Sequence, residues 1–174
     1  MFLRLSARPA LFAMLATTAI ACGKGDGDSG GDAGSDISAD DLALAEATWA
    51  EINGYESWSQ LDPWVGIQAS TDVHGDYVQI WANGVAESTV TAAAGGDMPD
   101  GAITVKEGYS DEAGSSINAI TVMKKMSGYD SANGDWFYAR YTADGTVTMA
   151  GQSAVDMCVG CHAAGQDSVR AWTW

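Results

Sequence analysis

Five consecutive residues, Cys158-Val159-Gly160-Cys161-His162, put two thiols and an imidazole within little more than one helical turn. On a helix Cys158 and Cys161 fall on one side, where both can form thioethers with the vinyl groups of one haem, and His162 projects toward the iron. The spacing therefore predicts one covalent haem c, with Cys158 and Cys161 binding the cofactor and His162 the metal. A redox dithiol of this spacing wants a strand before it and a thioredoxin-like unit around it, yet only 12 residues follow His162. A structural zinc site needs four ligands, and the sequence has no second Cys/His cluster to supply them.

Haem is attached to such motifs outside the cytoplasm, and the N-terminus is consistent with export. Arg4 and Arg8 precede an apolar run over residues 11–20, and small residues lead into Cys22. Residues 1–21 read as a signal peptide, too short for a stable span. The approach to Cys22 resembles a bacterial lipoprotein signal, which predicts lipidation of Cys22; cleavage near Ala21 to a soluble periplasmic protein is the alternative. The expected location is the periplasmic side of the cell envelope, held to the membrane by the lipid alone. With Cys22 given to lipid and the other two cysteines to haem, none is left for a disulfide.

Residues 22–36 follow as a linker. Residues 23–36 contain six glycines, four aspartates and two serines, a composition that cannot bury a core. By coil scaling such a tether spans on the order of 20 Å. Removing residues 1–21 leaves six basic against 23 acidic residues, a net charge of −17, which argues against nucleic acid and suits a basic redox protein as partner.

Residues 37–174 suit one domain, which holds all seven tryptophans. Ser38 and Asp41 predict a helix start, and Leu42, Ala45, Trp49 and Ile52 recur at helical spacing before Gly54. The pattern then turns to strands at residues 77–81, 102–107, 118–126, 136–141 and 146–149, with turns at Asn83-Gly84, Asp100-Gly101 and Asp144-Gly145. A short helix over residues 152–161 presents the cysteine motif. The fold expected is α+β: an antiparallel sheet of four to five strands, an N-terminal helix and a short C-terminal haem-binding helix.

Small electron-transfer cytochromes carry the motif early and take a later methionine as ligand, but no methionine follows His162. A four-helix cytochrome c-prime has a C-terminal motif but needs four long helices. The sequence instead resembles the cytochrome P-460 family, which includes the β-sheet cytochrome c-prime type. The resemblance rests on His74-Gly75 ahead of a strand ending in Asn83, Pro99-Asp100-Gly101 before Thr104-Val105-Lys106-Glu107, Gly128-Tyr129-Asp130, Gly134-Asp135-Trp136-Phe137-Tyr138, and the run from Cys158 through His162.

That resemblance implies a homodimer with one haem c ligated by His162 and a pocket for small nitrogen ligands on the other haem face. In enzymatic members, which oxidise hydroxylamine or nitric oxide, a strand lysine is joined to the haem; Lys106 matches it and is the candidate catalytic residue. Those members also use a glutamate on the next strand, near Ile120 or Thr121 here, where no carboxylate stands. Ligand binding survives that absence; oxidation loses its expected acid/base group. A non-catalytic periplasmic electron-transfer cytochrome is the alternative.

On residue chemistry alone, Lys106 is as readily a solvated lysine, His74 a satisfied or exposed histidine in a turn rather than a distal iron ligand, and Met123 and Met126 core filler rather than residues that approach the iron. Arg140 reads as a surface arginine rather than a haem-propionate partner.

Overall fold

The computed structural model of the chain describes residues 37–174, so the expected signal peptide, Cys22 and linker lie outside the described residues. Helix α1 spans Ala39–Glu51, and Ser38 caps it by accepting the Asp41 N–H. A single 3-10 turn, Tyr55–Ser57, leads to strands β1 (Gln68–Ala69) and β2 (Tyr77–Ala82). Helix α2 (Gly84–Ala92) then precedes β3 (Ile103–Tyr109), β4 (Ile117–Lys125), β5 (Trp136–Tyr141) and β6 (Val147–Ala150), and α3 (Gln152–His162) closes the series.

The six strands pair antiparallel in chain order, each with its sequence neighbour. The architecture is the expected α+β with one more strand, β1, whose two residues are too few to show an alternating pattern. Helix α2 was not expected. Its sequence is rich in Thr and Val, which favour strands, but Asn83 caps it by accepting the Ala86 N–H.

Alternation along the strands gives the sheet two apolar faces. On one, Trp81, Ile103, Val105, Ile120, Val122, Phe137 and Tyr141 pack with Ala45, Ile52 and Tyr55 from α1 and the turn after it. On the other, Val78, Ile80, Met123, Trp136 and Tyr138 pack with Ala154 of α3 and with Val169 and Trp172 beyond it. Met123 is thus core filler, as expected of a strand methionine.

The register across the second face runs Ile80, Lys106, Thr121, Arg140, each opposite the next. On the first face Glu107 is buried, with the hydroxyls of Tyr55 and Tyr109 both donating to its carboxylate. Burial, followed by the Glu107 carboxylate, pushes Tyr109 and Tyr55 well above the ordinary phenol range.

Asp41 joins α1 to α3. It is buried, takes the Ser38 and Tyr129 hydroxyls at 2.9 Å each, and accepts the Gln152 N–H at 3.3 Å. It thereby serves the exposed N–H end of α3, whose own N-cap, Gly151, has no side chain to do so. Asp41→Ala is expected to lower unfolding free energy by about 2 kcal/mol in urea, mainly through the stranded buried donors; a loss below about 0.5 kcal/mol would remove Asp41 from this role.

Candidate functional site

Helix α3 lies on the second face of the sheet, with Ala154, Cys158 and Val159 against the core. Cys158 and Cys161 share one side, as their three-residue spacing demands. Burial pushes the Cys158 thiol up to about 11.

After α3 the chain folds back through a tight turn, with the Gly165 N–H donating to the His162 carbonyl. Asp167 and Ser168 both have positive φ, 42° and 65°. Non-glycine residues adopt that conformation only when other contacts hold it. The Asp167 carboxylate accepts Lys125 Nζ at 2.8 and 2.9 Å and the Met98 N–H at 2.7 Å, and its carbonyl accepts the Trp136 indole N–H at 2.7 Å.

The turn brings the Ser168 carbonyl 2.9 Å from His162 Nδ1. A carbonyl only accepts, so Nδ1 carries the proton and Nε2 keeps its lone pair. This is the arrangement found behind metal-ligating histidines, where the second-shell acceptor fixes both tautomer and ring orientation. The donor chemistry therefore fits a haem iron on His162 Nε2 and a macrocycle held at Cys158 and Cys161.

His162 and Cys161 open onto a cavity of about 270 Å³ over the second sheet face. Trp64, Arg170 and Ala171 wall one side, with the Trp64 indole donating to the Ala171 carbonyl at 2.8 Å. Lys106 and Ile80 come from the sheet, and residues 69–74, ahead of β2, close the remainder. Lys106 is thus a cavity residue and not a solvated one: its side chain is 19% exposed.

Lys106 Nζ lies 3.4 Å from Asp72 Oδ2, and Asp72 Oδ1 accepts the His74 N–H at 2.9 Å. Burial would raise the Asp72 carboxyl, but the Lys106 ammonium and His74 outweigh it and hold it below the usual carboxylate range. Burial lowers Lys106 against the pull of Asp72. Thr121 stands opposite Lys106 on β4, where the resemblance implies a glutamate. The carboxylate that meets Lys106 comes instead from the loop before β2.

His74 also lines the cavity, its ring centre 6.2 Å from that of His162. Burial is the chief reason its ring is pulled down to about 3, with the Lys106 charge acting the same way, so it is neutral near pH 7. Two glycines make room for it. A Cβ on Gly108 would stand 1.8 Å from the His74 carbonyl oxygen, and one on Gly75 would stand 2.7 Å from the Tyr109 nitrogen.

Sequence reasoning brought Cys158, Cys161, His162 and Lys106 together; it missed Asp72 and Arg170 and read His74 as a satisfied or exposed histidine outside the site. The spacing of Asp72 and His74, two residues apart ahead of a glycine, was the available signal. Arg140 is exposed, as a surface arginine would be, and Arg170 is the arginine at the cavity wall.

No curated protein matches the chain. The cytochrome P460 family model matches residues 52–173, beginning just after α1, which is well over half the chain and includes all of the cavity wall. The chain therefore belongs to the cytochrome P460 family and is a haem cytochrome.

Proposed function

We propose that the protein is a monohaem c-type cytochrome of the bacterial cell envelope that binds small nitrogen species such as nitric oxide or hydroxylamine. The observation that carries the reading is one cavity holding both the unprotonated Nε2 of His162 and the Lys106–Asp72 pair. Bound haem supplies an iron centre able to coordinate and exchange electrons with such ligands. Thioethers at Cys158 and Cys161 anchor it, and Arg170, a cation at the wall, suits a haem carboxylate.

The other residues do ordinary polar chemistry. Lys106 Nζ is a donor to a ligand oxygen in the cavity, and Asp72 keeps that ammonium in place. Asp72 also offers a carboxylate for accepting a ligand proton, which supports oxidation of hydroxylamine despite Thr121 at the neighbouring strand position. Export, lipid attachment at Cys22, a homodimer and a basic redox partner complete the reading.

Carbon monoxide or nitric oxide added to the reduced holoprotein tests it. The expected result is a shifted Soret band that saturates with ligand concentration; an unaltered spectrum rejects the ligand-binding reading and leaves electron transfer.

A further inference from the structure

Three groups outside His162 face the cavity with chemistry to spare: Lys106, Asp72 and His74. The first two satisfy each other. His74 is different. Its Nδ1 is 3.2 Å from the Thr121 hydroxyl, and its Nε2 has no hydrogen-bond partner among the described residues.

His162 shows the same pattern, with Nδ1 engaged and Nε2 left over. The two rings share one cavity, 6.2 Å apart between centres and at 85° to each other. Imidazoles on opposite sides of one ion, at metal–nitrogen distances of about 2 Å, have ring centres roughly 6 Å apart. A separation of 6.2 Å therefore leaves room for one ion between the two rings.

The placement is also built in. Gly108 and Gly75 let the His74 backbone lie directly on β3, and Asp72 takes the His74 N–H, so the ring is delivered on a clamped segment. Lys106, the rival donor, has its ammonium turned to a carboxylate.

We infer that His74 Nε2 is the sixth ligand of the haem iron in the resting protein, opposite His162, and that an external ligand binds by displacing it. The inference rests on haem ligation by His162 and deepens the proposed ligand site by giving it an internal competitor. Occupancy by His74 lowers the apparent affinity for a small molecule by the fraction of protein in which the sixth position is open.

The test uses the ferric and ferrous holoprotein. Wild type is expected to be low-spin when ferric, with the near-infrared magnetic circular dichroism of a bis-imidazole pair. His74→Gly is expected to turn high-spin, to regain the low-spin spectrum when free imidazole is added, and to bind carbon monoxide on the order of tenfold more tightly than wild type. A high-spin wild type overturns the inference, as does a low-spin spectrum that persists in His74→Gly. Should the variant fail to load haem, the wild-type dichroism decides alone: an amine or thioether signature rejects His74. A His74→Gly protein that becomes high-spin but takes neither carbon monoxide nor nitric oxide upholds His74 as ligand and rejects the nitrogen-species reading, so the two failures are distinct.

Discussion

Gly108→Ala is expected to destabilise the domain by about 3 kcal/mol, the upper end for overpacking, because the added methyl meets backbone and not a movable side chain. Its Cβ would lie 1.8 Å from the His74 carbonyl oxygen and 2.7 Å from the carbonyl carbon. Either β3 or the segment carrying His74 must move away, and the register ties β3 to both β2 and β4. The segment is therefore what yields, taking His74 and Asp72 with it. Urea titration reads the stability, and the ferric spectrum of the same variant reads the displaced histidine. Gly84→Ala is the control: a Cβ there meets nothing within 4 Å, and the residue opens a helix, so the change is expected to be neutral or stabilising by up to about 1 kcal/mol. Equal losses at both positions would reject close approach as the reason for Gly108.

The second large effect is at Asp167. Its side chain is 6% exposed, and Lys125 beside it is 11% exposed and sits over the Trp136 ring. Asp167→Ala leaves the Lys125 ammonium buried without its carboxylate, and removing one partner of a buried pair costs about 3–5 kcal/mol. A domain of this size then melts on the order of 10 °C lower. The loss extends to the cofactor side, because the same carboxylate steadies the turn whose Ser168 carbonyl orients His162. Asp167→Ala is accordingly expected to shift the reduction potential of the haem, whereas Lys125→Met with Asp167→Leu recovers part of the stability without restoring the turn. A variant that melts lower but keeps its potential would confine Asp167 to a structural part.

Much of this domain was legible because local chemistry and tertiary role agreed. Residues 136–141 are rich in aromatic side chains and form β5 with those limits. Ser38 and Asp41 start α1 where their capping chemistry puts it. Cys158, Cys161 and His162 needed only a helix to become a group, and α3 carries all three.

The unread parts depend on contacts that sequence spacing does not carry. Residues 84–92 have strand-favouring side chains but lie on the second core, where Ala86 is fully buried, and packing with the Asn83 cap overrides propensity. His74 and Asp72 sit on a loop whose position is decided by two glycines in different segments, Gly75 and Gly108, and only the folded sheet joins them. Glu107 is buried beneath the hydroxyls of Tyr55 and Tyr109, a pairing with Tyr55 that only the folded chain makes.

The strand order has a consequence for how the protein comes into being. Every strand hydrogen-bonds to its nearest neighbours in sequence, so the sheet forms from local pairings, the longest connection being the one that carries α2 between β2 and β3. The face covered by α1 is built from residues preceding 151, and Cys158, Cys161 and His162 come after all of it. The strands of the opposite face also precede residue 151, but Val169 and Trp172 complete its core and Arg170 and Ala171 wall its cavity, so the pocket at His162 closes only when the residues after α3 fold back over the sheet.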